Sequence, residues 1–139
     1  MRVVSDSGVS YLEFECVEAV DGPYPSLCLR VSAREPDMAG KSHGVWVGRD
    51  EYNEFVAAFR ECELKRKGTA VLEGSSPGEL RIAFEPIDQR GHYRVTYTLV
   101  ITFAIAGNVR RSIEGGFVLD SEYFREMVVG FTQLWDTCR

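Results

Sequence analysis

Hydrophobic and polar residues alternate near the start of the chain with the two-residue period of a β-strand that has one wet face. In residues 11–20 the apolar side chains alternate with two glutamates, Glu13 and Glu15. An Asp-Gly-Pro turn signal at residues 21–23 separates this run from a second alternating run at residues 27–32. The two runs therefore predict a β-hairpin.

Further strands are predicted by similar patterns. A loop at residues 33–42 precedes a short strand at residues 44–47. Four more strands are predicted at residues 69–73, 80–85, 93–105 and 109–119, the last two joined by a turn at residues 106–108. The 93–105 run is long and rich in β-branched residues, which indicates a central strand. The pair Gly115 and Gly116 predicts a β-bulge in the last strand.

Two segments show the helical period. After residue 48, four apolar residues fall at i, i+3, i+4 and i+7: Tyr52, Phe55, Val56 and Phe59. We expect Gly68 to end this helix. Asp120 is a favourable N-cap for a second helix. This closing helix carries a broad apolar stripe: Tyr123, Phe124, Met127, Val128, Phe131, Leu134, Trp135 and Cys138.

The predicted order of elements is β-β-β-α-β-β-β-β-α. Short connections between consecutive strands favour an α+β fold built on a mostly antiparallel sheet of about seven strands. One amphipathic helix lies between strands 3 and 4, and the other is C-terminal. The chain has 139 residues, 45% of them hydrophobic and 27% charged. These values predict a single globular domain over residues 1–139.

The charge of the chain argues against nucleic acid as a partner. Sixteen Lys and Arg oppose 21 Asp and Glu, which leaves a net charge of −5. A domain that binds nucleic acid normally carries an excess of basic residues on one face. There is also no run of about 18 apolar residues, so we expect no membrane partner. Acidity favours a basic protein partner.

The cysteines predict neither a metal site nor a disulfide framework. Cys16, Cys28, Cys62 and Cys138 contain no CxxC pair, and the sequence has only two histidines. We expect buried free thiols that act as small hydrophobic side chains. The first ten residues are too short and too polar for a signal peptide. A reducing cytoplasm is the predicted location.

No motif predicts catalysis, and we expect a protein that is not an enzyme and has no cofactor. Neither His43 nor His92 lies in a nucleophile motif. The carboxylates of Glu13 and Glu15 are typical of a solvated strand face, and no glycine motif resembles a phosphate-binding loop. Two alternatives stay open: a small-ligand pocket between the sheet and a helix, and a hydrolase built around His92.

Four residues are candidates for contact with a partner. Trp46 lies between Val45 and Val47, so either face of its strand could hold it; core burial is favoured for a side chain of this size. If exposed, it would be a candidate hot spot of a protein interface. The candidate partner-binding residues are Trp46, Glu13, Glu15 and His92.

The whole arrangement resembles the WapI-type immunity proteins of bacteria and a related uncharacterised group. The features that carry this resemblance are the strands YLEFECVEAV, SLCLRVSA and VWV, the helix RDEYNEFVAAFREC, and the later strands GELRIAFEP and GHYRVTYTLVI. The segment SIEGGFVLD and the closing helix SEYFREMVVGFTQLW complete it. The most distinctive pieces are Gly91-His92 and the strand-to-helix passage at residues 117–120.

The resemblance implies a cytoplasmic binding protein that neutralises a cognate toxin by covering its working surface. The resemblance identifies no individual contact residue in this chain. A net negative charge is compatible with masking a basic, nucleic-acid-cleaving surface. A second copy of the chain is a further candidate partner, because an antiparallel sheet often leaves an edge that can pair across a twofold axis.

Overall fold

The computed structural model describes residues 1–104 and 109–138. The turn predicted at residues 106–108 and the end of the strand predicted at residues 93–105 therefore lie partly or wholly outside the described residues. The strands are β1 (Arg2–Val4), β2 (Tyr11–Val20), β3 (Ser26–Glu35), β4 (Met38–Lys41), β5 (Val45–Gly48), β6 (Ala70–Glu73), β7 (Leu80–Pro86), β8 (His92–Ala104) and β9 (Val109–Asp120). The helices are α1 (Arg49–Lys65) and α2 (Phe124–Thr137), the second preceded by a 3₁₀ turn (Ser121–Tyr123).

The α+β prediction is confirmed, with the helices where the sequence placed them. The strands form two antiparallel sheets rather than one, and the described part of the chain has nine strands rather than seven. In the five-stranded sheet the order is β1-β2-β3-β4, and β5 also pairs with β3. In the four-stranded sheet the order is β6-β7-β8-β9.

The two additional strands, β1 and β4, could not be recognised from periodicity. β1 has three residues, and the four residues of β4, MAGK, do not alternate between apolar and polar side chains. The loop predicted at residues 33–42 is wrong for most of its length, because β3 continues to Glu35 and β4 pairs with it as a hairpin. A Cβ on Gly40 would come within 2.7 Å of the Ile113 side chain. A residue without a side chain therefore lets β4 approach the four-stranded sheet closely.

Both helices and the inner faces of both sheets share one aromatic core. Phe131 of α2 lies at its centre, with ring-centroid distances of 5.0–6.0 Å to four other phenylalanines: Phe14, Phe55, Phe59 and Phe84. All four apolar residues predicted to form the stripe of α1 are buried. The buried hydroxyl of Tyr52 donates a hydrogen bond to the carbonyl oxygen of Phe131, which joins the two helices.

The helix ends differ from the prediction. α1 ends at Lys65 rather than at Gly68, because Arg66 adopts the left-handed conformation with φ of 55°. Asp120 is not the N-cap of α2, since a 3₁₀ turn intervenes; its carboxylate accepts a hydrogen bond from the backbone N–H of Glu122 instead. Tyr123, placed in the buried stripe by the sequence, is 55% exposed.

The bulge predicted at Gly115 and Gly116 is wrong. These residues pair in register with Tyr97 and Thr96 of β8, and the register shift between the two strands lies between Val100 and Thr102. Gly115 instead allows neighbouring side chains to lie close to its backbone. A Cβ there would lie 2.3 Å from the Tyr97 hydroxyl, which donates a hydrogen bond to Glu35 of β3. This contact connects the two sheets.

Gly115→Ala is therefore expected to displace the Tyr97 hydroxyl from Glu35 and to lower the free energy of unfolding by about 1 kcal/mol, the usual net contribution of one hydrogen bond. Urea unfolding followed by circular dichroism measures the change. Ser112→Ala, an exposed position on the same strand, is the control and is expected to change stability by less than about 0.5 kcal/mol. Equal stability of the two variants would contradict the close packing over Gly115.

The prediction of four free thiols is wrong for two of them. Cys16 and Cys138 form a disulfide, with their Cα atoms 5.4 Å apart and 122 residues between them in sequence. Cys16 pairs with Leu29 and so lies on the inner face of its sheet, where the end of α2 reaches it. The pair is invisible in the sequence because only helix packing brings its members together. Cys28 and Cys62 are free and buried, as predicted.

Within residues 1–104 and 109–138, no helix has both the length and the apolar character that crossing a membrane requires.

Candidate functional site

The register of the five-stranded sheet brings three of the four candidate residues onto one surface. Leu27 and Leu29 of β3 point into the core, so Cys28 and Arg30, which alternate with them, lie on the opposite face. Residues paired directly across antiparallel strands share a face. The register pairs Trp46 with Cys28, Glu15 with Arg30 and Glu13 with Ser32. We call the face that holds these residues the outer face.

Trp46 is 39% exposed on the outer face, so the expectation of core burial is wrong. Its neighbours Val45 and Val47 fill the inner positions of β5 and are fully buried. The backbone of Trp46 is held on both sides, by pairing with β3 and by a 2.7 Å hydrogen bond from the N–H of Ser75 to its carbonyl oxygen. The outer face therefore presents a large aromatic side chain from a fixed backbone.

The charges on the outer face are of both signs. Glu13 forms a 2.9 Å ion pair with Arg2, whose guanidinium also lies 4.3 Å from the centre of the Tyr11 ring. Glu15 lies opposite Arg30 in the register. Both glutamates are accessible to solvent, as expected. The outer face nevertheless carries charges of both signs rather than only acidic ones. Exposed ion pairs of this kind contribute about 0–1 kcal/mol to stability, so a partner can rearrange them at low cost.

His92 lies apart from the other three candidates, at the start of β8 in the four-stranded sheet. Its Nδ1 is 2.7 Å from Oδ2 of Asp88, and the other oxygen of Asp88 accepts hydrogen bonds from the backbone N–H groups of Arg90 and His92. Desolvation alone would raise the pKa of Asp88, but these hydrogen bonds from His92 and Arg90 together hold it below its usual value. His92 thus holds the turn between β7 and β8 through its contacts with Asp88.

The two free thiols of the described residues are buried, and burial lowers their reactivity. Burial raises the pKa of the Cys28 thiol, and the charge of Glu18 adds to the effect. Burial likewise raises the pKa of the Cys62 thiol. A raised pKa lowers the thiolate fraction and with it the nucleophilicity. Within residues 1–104 and 109–138, no group of three or more His, Cys, Asp or Glu side chains could hold a metal ion.

A cavity separate from the outer face lies between β1, the turn that follows it and the start of α2. This cavity has a volume of about 540 Å³, within the range of small-molecule sites. Its lining is Met1, Arg2, Val4, Ser5, Asp6, Ser7, Gly8, Tyr123, Glu126 and Met127. The residues of this cavity could not be identified from the sequence, because residues 1–8 and residues 123–127 meet only in the folded protein. Tyr123 was itself expected in the buried stripe of the closing helix, so the sequence carried no signal of the cavity.

Comparison with protein-family models, curated proteins and solved structures finds no match to this chain. The geometry of the outer face and of the cavity is therefore the basis for a functional hypothesis.

Proposed function

We propose that this chain is a non-enzymatic protein-binding domain that neutralises a cognate bacterial toxin by covering its working surface. The observation that carries the proposal is Trp46, a large aromatic side chain exposed on the outer face. Tryptophan is among the residue types most enriched at the energetic centres of protein interfaces. The resemblance to immunity proteins supplies the class of partner.

The outer face has the physical properties that such a contact needs. Trp46 projects from a strand whose backbone is bonded on both sides, so little backbone freedom is lost when it is buried by a partner. The surrounding side chains of Glu15 and Arg30 offer charges of both signs for orientation. The net charge of −5 acts at longer range and speeds association with a basic surface.

The cytoplasm is the location proposed together with this function. The Cys16–Cys138 disulfide is the observation that favours an oxidising compartment instead, since reducing compartments keep most thiols free. Acid quenching of intact cells, followed by alkylation of the denatured protein so that the buried Cys28 and Cys62 also react, distinguishes the two: four modified cysteines support a reducing location, and two support an oxidising one.

A growth assay tests the proposed function. The chain is co-expressed with the catalytic domain of the toxin-like protein encoded beside its own gene, and survival is compared for the wild type and Trp46→Ala. We expect the wild type to protect and the variant to bind the purified toxin domain at least about 30-fold more weakly, as truncation of a hot spot of 2 kcal/mol or more does.

Tyr123→Ala is the matched control because Tyr123 is also an exposed aromatic residue but lies at the start of α2, off the outer face. We expect it to protect as well as the wild type. No complex between the wild-type protein and the toxin domain would overturn the proposal. Equal binding by Trp46→Ala and the wild type would remove the outer face from it.

The cavity favours a second candidate function, a small-ligand-binding domain. It is concave, it has both apolar and polar walls, and its volume of about 540 Å³ suits a small organic molecule. Trp46 lines none of the cavities described for residues 1–104 and 109–138. The two candidate functions therefore use different surfaces of the protein.

A further inference from the structure

Two acidic residues that line the cavity have no cationic partner among the described residues. Asp6 lies in the turn after β1, and Glu126 lies in the first turn of α2. Within residues 1–104 and 109–138, neither carboxylate takes part in a hydrogen bond or an ion pair; Asp6 is held only through its backbone N–H, which donates to the carbonyl oxygen of Val118. Both charges are therefore available to a ligand.

The cationic groups near the cavity are already occupied. The guanidinium of Arg2 pairs with Glu13 at 2.9 Å and lies over the ring of Tyr11. The terminal ammonium of Met1 donates to the carbonyl oxygen of Phe14 at 3.2 Å. Counted with Glu13, the charged groups at the cavity are two cations and three carboxylates, and this net charge of −1 favours a cationic ligand.

The remaining walls suit a hydrocarbon or aromatic body. Val4 and Met127 contribute aliphatic surface, and the exposed ring of Tyr123 can stack on a flat ligand or lie beneath a cation. The turn that carries Asp6 is held in place by hydrogen bonds of Ser5, whose Oγ is 3.0 Å from the Ser7 hydroxyl and accepts from the N–H of Ser10 at 3.1 Å. The cavity is therefore preformed on this side.

We propose that this cavity binds a small organic cation: a protonated amine on an apolar or aromatic body, with the ammonium group paired to the carboxylates of Asp6 and Glu126. The body of the ligand packs against Val4, Met127 and Tyr123. This inference rests on the second candidate function and is independent of toxin neutralisation.

Three probes that share one ring and differ in charge test the proposal. Tryptamine is cationic at pH 7, indole-3-ethanol is neutral, and indole-3-acetate is anionic. Each is titrated into the full-length protein labelled with ¹³C at methyl groups, and shifts of the Val4 and Met127 methyl signals report occupancy of the cavity. We expect tryptamine to bind about tenfold more tightly than the alcohol, and the acetate to bind more weakly than either.

Charge-neutral variants then identify the carboxylates responsible. Glu126→Gln is expected to weaken tryptamine binding about three- to fivefold, the range for one partly exposed ion pair, and to leave binding of the alcohol unchanged. Glu122→Gln is the matched control, since Glu122 is an exposed glutamate on the adjoining 3₁₀ turn that does not line the cavity. It is expected to bind all three probes as the wild type does.

Each contrary result has a distinct meaning. Equal affinity for all three probes would overturn the preference for a cation but retain a ligand site. Binding of none of them at millimolar concentration would overturn both the inference and the second candidate function. Neither result affects the growth assay, because that assay depends on Trp46 and not on the cavity.

Discussion

Loss of the Cys16–Cys138 disulfide is expected to lower the free energy of unfolding by about 5 kcal/mol. The bond joins β2 to the residue that follows α2 and closes a loop across nearly the whole chain, with 122 residues of sequence separation. A cross-link that closes a loop of this length removes a large part of the conformational entropy of the unfolded chain, which gives this magnitude in the chain-entropy description.

Urea unfolding with and without dithiothreitol measures the effect. The wild type is expected to lose stability in the reductant, and the Cys16→Ala/Cys138→Ala double variant is expected to match the reduced wild type in both conditions. Cys28→Ala is the control, because Cys28 is a free thiol and its variant should keep the full response to reductant. A wild type whose unfolding midpoint does not respond to reductant would contradict this disulfide.

Phe131→Ala is expected to lower the free energy of unfolding by about 3–5 kcal/mol. The ring of Phe131 is fully buried and meets four other phenylalanine rings, from β2, α1 and β7, at centroid distances of 5.0–6.0 Å. Its removal leaves a cavity where both helices and both sheets meet, and the rigid rings around it cannot collapse to fill the space.

The control for this variant is Val129→Ala, which lies two residues earlier on α2 and is 49% exposed. Its effect is expected to stay within about 0.5 kcal/mol, because an exposed position leaves no cavity. Both variants are compared in urea with the disulfide intact. A loss below about 1 kcal/mol for Phe131→Ala would show that α2 is not packed at the centre of the core.

The long, strongly periodic elements could be predicted from the sequence. The alternation in β2 and β3 and the helical stripe of α1 report burial directly, since each apolar position on one face must be covered. The four apolar residues of the α1 stripe are buried as expected. The burial of the free thiols Cys28 and Cys62 was predicted from residue type instead, because free cysteines act as small hydrophobic side chains.

The orientation of a short strand could not be predicted in the same way. In β5 either the two valines or Trp46 could have faced the core, because the residues on both faces are apolar and alternation then does not show which face is covered. Pairing with β3 decided it: the inner face of β3 requires Val45 and Val47 beside it, and Trp46 is left on the outer face. Trp46 was therefore chosen as a candidate contact residue because of its residue type. Only the pairing of β5 with β3 shows that it is exposed.

Glu13 and Glu15 belonged to the candidate site because of their sequence pattern, and the register brought them to the face that holds Trp46. His92 was also named as a candidate, and the structure places it beside Asp88 at the start of β8, in the other sheet. The local sequence pattern does not distinguish the two glutamates from His92, because all three are polar residues at positions that the pattern predicts to be exposed.

By itself, the sequence determined which segments become long strands and helices and which of their faces turn inward, because those properties depend on the spacing of residues that are neighbours along the chain. Only the tertiary structure decided the division into two sheets, the exposure of Trp46, the Cys16–Cys138 bond and the cavity beside Glu126. Each of these joins segments far apart in sequence, and their meeting depends on how the whole core packs.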